Sequence, residues 1–76
     1  MTLIETIESD VKHTVSNMPT TSSIQDILKK LDLLKSYWKG RGALAYWRVQ
    51  ESNKKFNIEM MDKDGNKRDI HFMARF

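Results

Sequence analysis

Oxygen-bearing side chains alternate along the stretch DKDGNK at 62–67. An EF-hand loop begins this way, because Asp and Asn at its first, third and fifth positions supply the oxygen ligands that calcium prefers. The later positions do not fit. The sixth, where the loop needs glycine, is Lys67, and the twelfth, where it needs a bidentate glutamate, is Met73. We therefore predict no metal site here and interpret the stretch as a tight turn.

The other residues capable of chemistry are scattered. The two histidines, His13 and His71, have no partner at a metal-ligand spacing, and we expect both on the surface. Ser22 and Ser23 precede a helical pattern, where serine caps helices, and no phosphate-binding loop is present. The sequence therefore predicts no catalytic residue, no cofactor and no metal, and a protein that is not an enzyme.

The turn at 62–67 determines how its flanking strands pair. A two-residue turn would place apolar residues of one strand opposite polar residues of the other, for example Ile58 opposite His71. A three-residue loop over 63–65, with its glycine in the left-handed conformation of a bulged hairpin, places Phe56 opposite Phe72 and Ile58 opposite Ile70. Since register follows the buried face, we predict the three-residue loop.

Two helices precede the strands. Apolar residues at helical spacing predict a helix over 2–17, and Pro19 ends that pattern. A linker over 18–22 leads to a second helix over 23–39, opened by a capping box from Ser22 or Ser23. The second helix is apolar on more than one side, so we expect it to contact both the sheet and the first helix. The predicted stripes are Ile4, Ile7, Val11, Val15 and Met18, then Ile24, Ile27, Leu28, Leu31, Leu34 and Trp38, with Leu33 and Tyr37 outside the second.

From residue 43 the apolar period changes from 3.6 to 2, which predicts strands over 43–50, 55–61 and 68–75. A short connection near Ser52 and Asn53 would pair Val49 with Phe56 and Trp47 with Ile58. The predicted core face is Ala45, Trp47, Val49, Phe56, Ile58, Met60, Ile70, Phe72 and Ala74. Trp38, Trp47, Phe56, Ile58 and Phe72 should centre the core.

The predicted fold is α+β, in the order ααβββ, with two N-terminal helices on one face of a three-stranded antiparallel meander. We expect a single domain over 1–76, because the length suits one small domain. The chain has no cysteine and no apolar run of about 18 residues, the length of a membrane span. Its start also lacks the apolar run of a signal peptide. We therefore expect a cytoplasmic protein without a membrane segment.

The helix–helix–three-strand order resembles that of the RelE-like ribosome-dependent ribonuclease toxins. In that family a strand precedes the two helices, and basic residues on the sheet cleave the RNA. Here 2–17 is helical, and the second strand carries Asn57 and Glu59 where arginine is expected. The resemblance covers topology alone and implies a remote ribonuclease alternative without any assigned catalytic residue.

The outer sheet face is the predicted working surface, since it combines polar, aromatic and exposed apolar groups. Its expected partner-binding residues are Leu44, Tyr46, Arg48, Lys55, Asn57, Met61, His71, Met73 and Arg75. A small protein-binding regulator or inhibitor, of the type found in phages and bacteria, is the first hypothesis, and pairing with a second copy remains open.

Nucleic-acid binding is the alternative, because the two halves of the chain differ in charge. Residues 1–38 carry four Lys/Arg and five Asp/Glu, a net charge of −1, whereas 39–76 carry nine and five, a net charge of +4. The basic residues that would contact phosphates are Arg41, Arg48, Lys54, Lys55, Lys67 and Arg75.

Overall fold

The computed structural model describes residues 2–74. Two helices come first, α1 (Leu3–Ser16) and α2 (Ile24–Gly40). Three strands follow: β1 (Leu44–Ser52), β2 (Lys55–Asp62) and β3 (Lys67–Met73). They form one antiparallel sheet in the order β1-β2-β3. The predicted α+β arrangement is confirmed, with strand ends that differ by one or two residues.

Both helices begin at capping residues. Thr2 caps α1, its hydroxyl accepting from the Glu5 N–H. At the start of α2 the reciprocal capping box forms between Ser23 and Asp26, the second of the two predicted possibilities. Such caps satisfy the first amide groups of a helix, which have no partner within the helix itself.

The pairing of β2 with β3 follows the predicted register. Phe56 lies opposite Phe72 and Ile58 opposite Ile70, and the two phenyl rings stack with centroids 4.9 Å apart. Gly65 has a φ of 87°, the left-handed conformation that the loop requires. The three-residue turn is therefore confirmed.

The predicted pairing of β1 with β2 is wrong by two residues. Val49 lies opposite Ile58 rather than Phe56, and Trp47 lies opposite Met60. The hairpin turns on Asn53 and Lys54, whose φ angles of 51° and 67° are those of a two-residue type I′ turn. A shift of two residues keeps every side chain on its own face, so the apolar pattern could not detect it.

A β-bulge at the start of β1 overturns two further predictions. Leu44 lies opposite Asp62 and Tyr46 opposite Met61, so Ala45 is the extra residue between them. The bulge reverses the alternation. Leu44, expected on the outer face, is 8% exposed and belongs to the core, whereas Ala45, expected in the core, is exposed.

The core lies between the helices and one face of the sheet. Its buried apolar side chains are Ile4, Ile7, Val11, Ile27, Leu31, Ala43, Leu44, Phe56, Ile58, Met60 and Ile70. Phe56 and Ile58 occupy the centre, as predicted. Trp38, Trp47 and Phe72 were expected there too, but they are only partly buried and pack around it. Trp47 and Phe72 lie on β1 and β3, the edge strands of the sheet, and Trp38 lies near the end of α2.

The second helix contacts both the sheet and α1, as its two apolar sides predicted. Leu33 and Tyr37, the residues outside its main stripe, are nevertheless 63% and 49% exposed. They line an open groove between the two helices.

Candidate functional site

The outer face of the sheet is uncovered, because α1 and α2 both pack on the opposite face. The side chains on it lie in four cross-strand rows. From the bulge end these rows are Tyr46, Met61 and Lys67; Arg48, Glu59 and Asp69; Gln50, Asn57 and His71; and Ser52, Lys55 and Met73. The candidate site is this surface, called here the outer face.

Seven of the predicted partner-binding residues lie on the outer face. Tyr46 and Met73 are 43% and 61% exposed. Three charged or polar side chains beside them, Arg48, Lys55 and His71, are also exposed. Met61 and Asn57 are half-buried because they belong to the central strand. The seven are Tyr46, Arg48, Lys55, Asn57, Met61, His71 and Met73. The bulge places Leu44 in the core rather than on the outer face. Arg75 lies outside the described residues.

The corrected register changes the neighbours of Arg48. The predicted register placed it beside Asn57 and His71. The structure places it opposite Glu59, which in turn lies opposite Asp69. The row that contains Arg48 therefore holds two carboxylates, where Arg48 was expected in a row with Asn57 and His71.

A depression of about 370 Å³ opens on the outer face near the 62–67 turn. Tyr46 and Met61 supply its apolar wall, while Glu59, Lys67 and Asp69 supply charged groups. Glu59 and Asp69 were missing from the predicted partner-binding residues, and Lys67 was predicted only as a phosphate contact of the nucleic-acid alternative. The outward phase of Glu59 and Asp69 could have included them, because each is next to a core residue of its own strand.

Asn57 carries the one buried side-chain oxygen or nitrogen, within residues 2–74, that has no hydrogen-bond partner: its Oδ1 atom. It lies between Gln50 and His71 in the third row. Buried polar atoms nearly always have a hydrogen-bond partner, so this oxygen is an exception on the outer face.

Asp62 ends β2 on the inner side and is completely buried. Its Oδ1 accepts from the backbone N–H groups of Asp64 and Asn66, both at 2.9 Å. Its Oδ2 accepts from the Asn66 side-chain amide at 3.2 Å and from the Ile4 N–H at 3.1 Å. The acid that resembled a calcium ligand thus ties the turn to the N-terminus of α1.

Burial has the largest effect on the pKa of Asp62 and would raise it. The hydrogen bonds from Asn66, Asp64 and Ile4 act in the opposite direction and together lower the pKa below its ordinary value of 3.8. The carboxylate is therefore held in its charged form at the start of α1, where the helix dipole also favours an anion.

Other potential chemistry is dispersed. His13 is exposed, and its Nε2 lies 3.0 Å from the side-chain amide nitrogen of Asn17; His71 is exposed on β3. Among residues 2–74, no three His, Cys, Asp or Glu side chains are grouped so that they could hold a metal ion. Arg41, which the sequence grouped with the basic residues of the sheet, lies at the end of α2 with its guanidinium 4.6 Å from the centroid of the Tyr37 ring.

Comparisons with known proteins give no further guide to the site. The chain matches no protein-family model, no curated protein and no solved structure. Within the described part of the chain, neither helix has the length and hydropathy that a membrane crossing requires.

Proposed function

We propose that the chain is a small non-enzymatic regulator or inhibitor that binds a protein partner through the outer face. The observation that carries the proposal is the pairing of Tyr46 with Met61 on an uncovered sheet, at the rim of a depression. Tyrosine and methionine are enriched in protein interfaces. A methionine side chain also adapts its shape to varied partners.

The charges around this apolar pair favour a protein over a nucleic acid. Arg48, the central base, faces Glu59, and Asp69 stands on the other side of that glutamate. Two carboxylates would repel phosphates, whereas mixed charges beside the Tyr46–Met61 pair suit the polar rim of a protein interface centred on that pair. The absence of cysteine from the sequence supports a cytoplasmic setting.

Nucleic-acid binding is the second candidate, supported by Arg48, Lys55 and Lys67 on the same face. A RelE-like ribonuclease is a remote third, since β2 carries Asn57 and Glu59 rather than arginine. Salt dependence separates the first two candidates, because binding led by phosphate contacts weakens steeply between about 50 and 200 mM salt.

The test is affinity capture from native lysate, with and without nuclease, by the wild type and three variants, of which Arg48→Glu removes the central basic residue of the outer face. Tyr46→Ser disrupts the outer face, and Leu33→Ser, an exposed apolar residue on α2, is the matched control. We expect a protein that survives nuclease, resists salt, and is captured by wild type and L33S but lost with Y46S.

Two results would overturn the proposal. Equal capture by Y46S and wild type would remove the outer face as the binding surface. If nuclease treatment removes the captured material and Arg48→Glu also abolishes its capture, the result would support nucleic-acid binding instead.

A further inference from the structure

The backbone hydrogen bonds of the sheet show which groups are left at its β1 edge. The even-numbered residues of β2 bond to β3, since the Asp62 N–H donates to the Asn66 carbonyl at 3.0 Å. In an antiparallel pair such bonds occur at every second residue, so the odd-numbered residues of β2 bond to the even-numbered residues of β1. The N–H and C=O groups of Trp47, Val49 and Glu51 therefore point away from β2, where residues 2–74 place no further strand.

The β1 edge lacks the features that usually prevent strand addition, which are lysine, proline and bulges. Residues 46–52 contain neither Lys nor Pro, and the bulge of the β1–β2 pair lies before them at Ala45. The other edge strand, β3, begins with Lys67, Arg68 and Asp69. A symmetric pairing of β3 centred on Asp69 would also place two carboxylates directly opposite each other. Of the two edges, β1 is therefore the one that can receive a further strand.

A second copy of β1 fits this edge when the two strands run antiparallel about a two-fold axis at Val49. Val49 then lies opposite itself, and Trp47 lies opposite Glu51 of the other copy, so the edge-facing N–H and C=O groups of all three residues are paired. An axis at Trp47 is the other symmetric choice. It would place Val49 opposite the bulge residue Ala45 and interrupt the pairing, so the axis at Val49 gives the longer regular ladder.

The side chains that meet on the inner face in this register are complementary. Trp38 donates its indole N–H to Asp10, whereas the indole N–H of Trp47 has no acceptor within residues 2–74. The side chain of Glu51 is exposed, and its Oε2 accepts from the Lys54 N–H at 3.1 Å. Because a carboxylate accepts several hydrogen bonds, Glu51 of one copy can also receive the indole N–H of the other.

The outer-face pairs also avoid like charges directly opposite each other. Arg48 lies opposite Gln50 of the other copy, and Tyr46 lies opposite Ser52. The two Arg48 side chains are diagonal neighbours, and each has the carboxylate of Glu59 opposite it in its own sheet. Opposed residues of antiparallel strands determine whether a pairing is favourable, so one segment supplies a suitable partner for itself.

We propose that the chain forms a two-fold dimer through β1, with a continuous sheet that contains three strands from each copy. A domain of this size has a small core, and the pairing buries more of Trp47 and Val49, which are only partly buried at the edge. Opposed residues lie on the same face of a sheet, so the two outer faces join on one side of the dimer. The Tyr46–Met61 pair is thus presented twice, whatever binds to it.

The first test is sedimentation equilibrium of the purified chain over a wide range of concentration, with charge changes at the exposed Gln50. Gln50→Glu places a carboxylate opposite Arg48 of the other copy, and Gln50→Arg places a guanidinium there. Each change occurs twice across the axis, so we expect the dimer Kd to fall about fivefold in Q50E and to rise about fivefold in Q50R. His71→Glu and His71→Arg are the matched controls, because His71 lies in the same row at the opposite edge, and they should leave the Kd unchanged.

The second test uses a single introduced cysteine, since the chain has none of its own. Val49→Cys brings two thiols together across the axis, with Cα atoms about 5.5 Å apart, a separation that a disulfide spans. We expect an added oxidant to link V49C into a covalent dimer and to leave His71→Cys unlinked. With the axis at Trp47 the two cysteines would lie four residues apart along the strands, roughly 13 Å, and would not link.

The proposal is overturned if the chain stays monomeric at every concentration, which would leave the edge to a strand of another protein, or if Q50E and Q50R dimerise equally. It is also overturned if V49C fails to link while H71C links, because β3 would then be the interface. Growth beyond a dimer would show open pairing of β1 with β3 of the next copy and equally refute it. Circular dichroism checks the folding of each variant, and the exposed Gln50 variants decide the question even if V49C is destabilised.

Discussion

Replacing Asp62 by asparagine tests whether the buried carboxylate holds the turn to the first helix. The two side chains have almost the same shape, but asparagine has only one acceptor oxygen and adds two donors. In the native protein both oxygens of Asp62 accept two N–H groups each. In either orientation, the amide nitrogen of asparagine would face two donors.

The expected loss of stability follows from the N–H group that would be left without an acceptor. The N–H of Ile4 is buried, and a buried donor left without its partner costs about 1–3 kcal/mol. In a domain of this size, each kcal/mol lowers Tm by about 4–8 °C. We therefore expect D62N to melt roughly 10–15 °C below the wild type near pH 7, measured by circular dichroism.

The pH dependence of this loss has a definite sign. The pKa of Asp62 is lower in the folded protein than its ordinary value of 3.8. The stability it contributes is therefore fully present above the unfolded pKa and is lost as the pH falls through the folded pKa. The difference in Tm between wild type and D62N should be constant from about pH 7 to 5 and should shrink below about pH 4.

Asp26→Asn is the matched control, because Asp26 also has a lowered pKa, caused first by the hydrogen bond from the Ser23 backbone and then by that from its hydroxyl. It is exposed and caps only its own helix, so its loss in Tm should be smaller than that of Asp62. The reasoning is refuted if D62N melts within about 3 °C of wild type near pH 7, or if the gap fails to narrow in acid.

Four further substitutions probe the turn, the core and the outer face by urea denaturation. Gly65→Ala should lower the free energy of unfolding by about 1–2 kcal/mol, because the added methyl meets no atom within 4 Å and the cost is the left-handed φ alone. An unchanged urea midpoint would contradict the assigned turn. Phe56→Ala should lose about 3–5 kcal/mol, and Trp47→Ala about half of that, since the phenyl ring is buried and the indole only partly so; a larger loss at Trp47 would reverse the assigned core. Asp69→Thr should gain about 0.2–1 kcal/mol by removing a carboxylate directly opposite Glu59, and a loss would show that the pair is not repulsive.

The elements that carried a local signal were predictable from the sequence. The helical stripes predicted both helices, and Gly65 with its flanking apolar residues predicted the β2–β3 register. In each case one physical requirement, a buried face or a positive φ, leaves a single solution.

The β1–β2 hairpin lacked such a signal. Its turn residues are Asn53 and Lys54, both at positive φ without a glycine to mark the position. The bulge at Ala45 was equally hidden, because an alanine fits a core face as well as an exposed one. Two registers therefore matched the apolar pattern, and the choice between them decides whether Arg48 faces Asn57 or Glu59. The candidate site was predicted as a face, but its charge arrangement was not.

The alternation along β2 placed Asp62 on the core face but could not identify its hydrogen bond with Ile4. Phe56, Ile58 and Met60 alternate along β2, and Asp62 continues the same phase, so the sequence already placed a carboxylate on the core face. A charged group can stay there only if donors satisfy it. The turn supplies three, and the fourth comes from Ile4, far away in the sequence. The same residue lies opposite Leu44 at the bulge, so Asp62 joins the N-terminus of α1, the 62–67 turn and the start of β1.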